Sequence, residues 1–192
     1  MTDIKKEEKN RKETEQKYIW LDLEMTGLDP QKDTILEIVT VVTDGQLNVI
    51  AQGPEIVIHQ PEKKLLAMDE WCTKTHKKSG LWDKVLASDT TLEEAQQQTL
   101  SFLREHCNPQ KSPLAGNSVW MDRVFIMHHM KRLYDFFHYR TIDVSTIKEL
   151  AKAWYPKEVK TFQKKNAHRA LDDVLESIAE LKHYRELFFK QC

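Results

Sequence analysis

The chain has 192 residues, with 29 Lys and Arg against 30 Asp and Glu, so its formal charge of −1 excludes a strongly basic wrapper of nucleic acid and an acidic solvating tail. A hydrophobic share of 40% supplies one core at this length, and the charged share of 31% fits a soluble, helix-rich domain rather than a low-complexity chain. The longest apolar-rich run, Ile35 to Val42, is broken by Glu37 and falls far short of the roughly 20 residues that span a bilayer.

Cys72, Cys107 and Cys192 are odd in number and widely spaced, which suggests neither a disulfide framework nor a zinc site. The N-terminus lacks the apolar run of a secretory signal, so a cytoplasmic location is the default expectation.

Residues 1–17 mix Lys, Arg, Asp and Glu without an aromatic residue, Gly or Pro, and read as a charged flexible leader to a single domain over 18–192. Tyr18 to Glu24 is a β-branched and aromatic run that meets a turn at Thr26-Gly27. Ile35 to Val42, Asn48 to Ala51 and Glu55 to Ile58, with Asp44-Gly45 between the first two, continue as a predicted antiparallel meander. Leu65, Leu66, Met68 and Trp71 are spaced for a short amphipathic helix, and Ser79-Gly80 closes that region. Thr90 or Thr91 caps a helix over Leu92 to His106, with Glu93 and Glu94 in its first turn. Pro113 to Asn117 and Arg140 to Val144 are strand candidates. Helices are predicted over Met121–Phe137, Thr146–Trp154 and Ala167–Phe189, the last with Ala170, Val174, Ile178 and Leu181 at helical spacing. The expected fold is therefore α/β, a mixed sheet of antiparallel and parallel strands flanked by helices.

Asp22 and Glu24 are two apart on the first strand, so both leave the same face with α-carbons roughly 6.6 Å apart. Divalent cations would relieve the repulsion of such a pair. The same spacing also fits a strand face meeting solvent. Asp122 near a helix start fits either a ligand or a partner of the helix dipole. If His168 were helical, Asp172 at i+4 would share its face. The small residues Ala170 and Ser177, however, border Asp173, which favours Asp173 as the inward acid and places His168 in the preceding loop.

Asp22-Leu23-Glu24-Met25-Thr26-Gly27, Asn117-x4-Asp122 and His168-x4-Asp173 occur in this order along one compact chain. The set resembles the DEDDh family of 3′-to-5′ exonucleases, built on the ribonuclease H-like fold. Met68-Asp69-Glu70-Trp71-Cys72, Leu114-Ala115-Gly116-Asn117-Ser118 and His138 to Thr146 extend the resemblance to nearly all of 18–189, and toward the branch that degrades very short RNA.

The resemblance implies that Asp22, Glu24, Asp122 and Asp173 hold two Mg²⁺ or Mn²⁺ ions roughly 3.5–4 Å apart, with His168 as general base and nucleoside 5′-monophosphates as products. It implies further that Leu28 and Trp71 wedge and stack the bases, although Trp71 taken alone fits a core position equally. Ser118, Arg140, Ser145 and Thr146 match positions around the 5′ phosphate of a short substrate. Tyr139 matches a residue that serves the neighbouring subunit, so the expected partners are RNA dinucleotides and a second copy of the chain, with Tyr139 and Arg140 reaching across. The apolar patch of Tyr134, Phe136, Phe137 and Tyr139 is consistent with such an interface. The absence of a basic stripe agrees with a site that grips few phosphates. Lys160, Lys164 and Lys165 read as a solvated linker or a mobile loop near His168. Two other readings remain: a DEDDh enzyme acting on longer ends, and a binding module without turnover.

Overall fold

The alternation Ile19-Trp20-Leu21-Asp22-Leu23-Glu24 requires a strand with two different faces, and the computed structural model, which describes residues 16–157, 162 and 170–189, places it inside the sheet as β1 (Lys17–Met25). The next strand, β2 (Ile35–Asp44), pairs antiparallel with β1, from Lys17 opposite Asp44 to Glu24 opposite Glu37. Two short strands, β3 (Val49–Gln52) and β4 (Ile56–Val57), both pair with β2. On the other side, β5 (Leu114–Gly116) runs parallel to β1, and β6 (Thr141–Asp143) runs parallel to β5.

The mixed sheet is as expected, but its antiparallel part is not a simple meander, because β4 returns to β2 instead of pairing with β3. Gly53 allows this course. Its N–H donates to the Thr40 carbonyl at 2.8 Å, and a Cβ there would stand only 2.9 Å from the same oxygen, so the chain stays against β2 as it passes from β3 to β4.

The helices depart from the sequence expectation in two places. The single short helix predicted around Leu65 to Trp71 is a pair, α1 (Glu62–Leu66) and α2 (Glu70–Ser79), followed by α3 (Leu81–Ala87). Asp69 separates the first two because its carboxylate accepts from the Cys72 N–H at 2.7 Å and caps α2. Gly80, at φ 77°, then turns the chain from α2 into α3. In α4 (Leu92–His106), Thr91 and Glu94 form a reciprocal capping box.

The helix predicted over 121–137 is broken at Met130 into α5 (Val119–His129) and α6 (Lys131–Tyr134). Gln96 of α4 explains the break, since its buried side-chain carbonyl accepts from the N–H groups of Arg132 and Leu133 at 2.9 and 3.2 Å and replaces the acceptors that a continuous helix would supply. The chain continues through α7 (Val144–Trp154) and ends with α8 (Ala170–Phe188).

Ile19, Leu21 and Leu23 face a core shared with α4, α5 and α6. Trp20, Val39, Val41 and Ala115 face a second core built with α7 and α8. Trp20 is fully buried there, and its indole N–H donates to the Thr43 hydroxyl at 2.9 Å. Leu36, Leu65, Leu81, Trp82 and Val85 form a smaller third cluster. Among the described residues no helix is long and apolar enough to cross a membrane.

Replacing Gln96 with Ala strands the Arg132 N–H at the start of α6 and leaves the Leu133 N–H with only its second acceptor, the Met130 carbonyl at 2.9 Å. Urea unfolding of Gln96→Ala should show a loss of about 1–3 kcal/mol; an unchanged midpoint would mean that Gln96 does not hold the break.

Candidate active site

Asp22 and Glu24 continue the face of β1 that carries Trp20. Where Trp20, Val39 and Ala170 end the apolar contact with α8, the first turn of that helix brings Asp173 over the two strand acids. Carboxylate oxygens of Asp22, Glu24 and Asp173 lie within 4.8 Å of one another. Asp172 is exposed, whereas Ala170 and Ser177 are buried, so the small-residue side of α8 is the one that meets the sheet.

Asp122 reaches the same strand end from α5. It is buried, and its Oδ1 accepts from the N–H of Leu23, the residue between the two strand acids, at 2.9 Å. This bond fixes the fourth acid relative to the other three.

The charges resist this arrangement. Burial raises the Glu24 carboxyl from its ordinary 4.5 to about 8, and the negative charges of Glu37, Asp173 and Asp122 push it in the same direction. Burial likewise raises Asp122 to about 7, against the opposing Leu23 hydrogen bond. Crowded carboxylate oxygens are the donor set that hard divalent cations such as Mg²⁺ and Mn²⁺ prefer, and a cation would offset both the burial of these charges and their mutual repulsion.

Sequence reasoning missed two neighbours of this cluster. Glu37 sits directly opposite Glu24 in the β1–β2 register and is buried; its signal was one acid inside an otherwise apolar run. His76 of α2 is only 2% exposed. Its Nε2 lies 2.9 Å from the Met25 carbonyl and so carries the donating hydrogen, while Nδ1 stands 3.8 Å from Glu24 Oε2. Its signal was the four-residue spacing from Cys72, which puts both on the inner face of α2.

After β1 the chain forms a tight loop. Thr26 Oγ1 donates to Asp33 Oδ1 at 2.8 Å, and the Asp29 N–H donates to Asp33 Oδ2 at 3.0 Å. A Cβ on Gly27 would stand 2.4 Å from that carboxylate, so a larger residue would push Asp33 out of the bonds that hold the loop. The loop holds Leu28 out to solvent, 68% exposed. Trp71, in the first turn of α2, is 65% exposed, which excludes the core reading of this residue.

A second recess lies at the ends of β5 and β6. Ser118 adopts a left-handed conformation at φ 50°, and its N–H donates to Asp143 Oδ1 and Ser145 Oγ, each at 3.0 Å. With Trp120, Thr146 and Glu149 these residues line a cavity of about 340 Å³. Three of the four residues matched to the 5′ phosphate are therefore together. Arg140 is not with them: it precedes β6, at the strand end opposite Asp143, where its guanidinium lies 5.2 Å from the Tyr139 ring centre and Tyr139 is 73% exposed. His168, Lys160, Lys164 and Lys165 lie outside the described residues, as does 1–15 of the leader.

The description "Exonuclease" belongs to a family model that matches residues 19–181. The chain is 53% identical over 174 residues to an oligoribonuclease of Marinobacter nauticus, covering 91% of this chain and 97% of the relative. It is 55% identical over 177 residues to an oligoribonuclease of Vibrio cholerae, covering 92% and 98%. Among solved structures it resembles E. coli exonuclease I in complex with a dA16 oligonucleotide, with a TM-score of 0.70 at 16% identity, covering 90% of this chain and 41% of that one. The last likeness shows the shared fold. The chain belongs to the exonuclease family and is a nuclease. Within that family, its likeness along nearly the full length is to the oligoribonucleases.

Thermal unfolding without divalent ions, followed from pH 5 to 8.5, should show stability falling as pH rises. Across the window from about 4.5 to 8 the folded state keeps a proton on Glu24 that the unfolded chain has already released, so each step up in pH favours unfolding. Added Mg²⁺ or Mn²⁺ should recover the loss at pH 8, and Glu24→Gln should make the profile shallower, leaving the part that Asp122 contributes up to about pH 7. A profile that rises through this window would contradict the assignment.

Proposed function

We propose that the chain is a 3′-to-5′ exoribonuclease that hydrolyses RNA dinucleotides and other very short oligoribonucleotides to nucleoside 5′-monophosphates. The observation that carries this reading is the placement of a four-acid cluster beside a small end pocket, both at the C-terminal ends of adjacent strands. The oligoribonuclease relatives support the substrate class.

Asp22, Glu24, Asp122 and Asp173 would hold two divalent cations, Mg²⁺ or Mn²⁺. Such ions supply Lewis-acid activation of water and charge stabilisation of the leaving 3′ oxygen. The chain's own residues do the rest. His168 would accept the proton of the attacking water, a role that requires neutral imidazole and so favours pH above its ordinary value near 6.5. Leu28 and Trp71, both large, apolar and held out in solvent, would wedge and stack the bases. Ser118, Ser145 and Thr146 would surround the 5′ phosphate.

The pocket that would receive this phosphate is bordered by Asp143 and Glu149, so an anion there needs a cation from elsewhere. Arg140 of a second copy would provide it, with Tyr139 of the same copy stacking on the substrate. Their exposure at the far end of β6 from their own carboxylates supports an exchange between two protomers of a homodimer.

The direct test compares turnover of a 5′-labelled diribonucleotide with that of a seven-residue RNA in Mn²⁺, then in excess chelator. Faster, chelator-sensitive turnover of the dinucleotide is expected, and Asp122→Ala should lower kcat by about 100-fold or more. Preference for the longer strand would move the enzyme to another DEDDh branch, and silence on both would leave a binding module.

Mixing tests the partner residue separately. Asp122→Ala and Tyr139→Ala are each expected to be inactive alone, but each mixed dimer regains one complete site of two, so a random equimolar mixture recovers about one quarter of the native activity. No recovery in verified mixed dimers would show that Tyr139 does not act across the interface.

A further inference from the structure

Between the acid cluster and the end pocket stands one side chain that bonds to both sides. The amide of Asn117, at the end of β5, donates through Nδ2 to Ser177 Oγ at 2.8 Å and to Glu180 Oε2 at 3.0 Å. Ser177 in turn donates to the backbone carbonyl of Asp173 at 2.8 Å. On its other side, Asn117 Oδ1 accepts from Ser145 Oγ at 3.1 Å, and Ser145 Oγ is the oxygen that receives the Ser118 N–H.

We propose that Asn117 is a positioning residue that locks the Asp173 helix to the Ser118–Ser145 pocket, so that metal affinity and recognition of the substrate's 5′ end depend on the same amide. The inference deepens the function proposed above and rests on it.

The chemistry of the amide suits this role. Two donors on one atom meet two acceptors of α8, while one acceptor meets a hydroxyl of α7. A carboxylate would lose both donors and face Glu180, and an apolar isostere would lose every bond. Glu180 is fully buried and also receives Lys148 Nζ at 3.0 Å and the Tyr184 hydroxyl at 3.1 Å. Asn117 therefore grips a part of α8 that is already anchored at Glu180, and Ser177, one turn from Asp173, carries any tilt of that anchor to the acid. No part of Asn117 needs to touch the substrate or a cation for the coupling to operate. Partners that orient ligands in this way typically change metal affinity by roughly 10- to 100-fold when removed.

Two quantities measured on the full-length protein test the proposal: the Mn²⁺ binding isotherm without nucleotide, and the ratio of KM values for diadenylate with a 5′ hydroxyl against a 5′ phosphate. In Asn117→Ala, Mn²⁺ affinity should fall by about 10-fold and the 5′-phosphate preference should shrink. In Ser177→Ala, which removes the hydroxyl that links the amide to the Asp173 carbonyl and leaves the Glu180 and Ser145 bonds, Mn²⁺ affinity should fall while the preference stays.

An Asn117→Ala protein that shifts only one of the two quantities, or neither, overturns the proposal. So does a Ser177→Ala protein with native Mn²⁺ affinity, a result that decides the matter even if Asn117→Ala fails to fold. If the native protein does not turn over dinucleotides, the proposed function fails, whereas the Mn²⁺ isotherms still report on the amide.

Discussion

The structure depends on holding several negative charges closer than they would stay by themselves. Asp22, Glu24 and Asp173 bring oxygens within 4.8 Å of one another, and Glu37 faces Glu24 across the strand pair. None of these positions is free to relax. The alternation of β1 fixes Asp22 and Glu24 to one face, the β2 register fixes Glu37, and α8 is pressed down by Ala170, Val174 and Ile178 on Trp20 and Val39. Apolar burial on this face thus supplies the free energy that offsets the repulsion. Burial first, and neighbouring charges second, hold the Glu24 and Asp122 carboxyls above their ordinary range, and a bound divalent cation is the natural counter to both.

The parallel strands then divide the molecule. Open α/β sheets gather ligands outside the carboxyl ends of their strands. Here those ends carry Asp22 and Glu24 from β1, Ser118 after β5, and Asp143 to Ser145 after β6. The opposite end of β6 carries Tyr139 and Arg140, which one chain cannot fold back onto its own acids without breaking the strand. A short substrate, a small end pocket and a second protomer form one consistent account, because each compensates for what a single open crevice lacks.

Much of this was legible in the sequence because period-2 and period-3.6 patterns translate directly into faces. The β1 alternation located Asp22 and Glu24, and the small residues Ala170 and Ser177 selected Asp173 over Asp172. What the pattern hid was long-range. The return of β4 to β2 depends on the close approach at Gly53, and the break at Met130 depends on Gln96, 36 residues before Arg132. Glu37 looked like an interruption of a strand because its meaning lies in the residue opposite. His76 and the bridging bonds of Asn117 also emerge only when distant segments meet, with 51 residues separating His76 from Met25 and 60 separating Asn117 from Ser177.

The central claim is that the crowded carboxylates exist to hold divalent cations at the reacting phosphate. Crystals soaked in Mn²⁺ with a nucleoside 5′-monophosphate, measured at the manganese absorption edge, test it most directly. The account predicts two anomalous peaks, bounded by Asp22, Glu24, Asp122 and Asp173, with the phosphate of the product against them. Manganese bound elsewhere on the surface, with these four side chains free of it, would contradict the account.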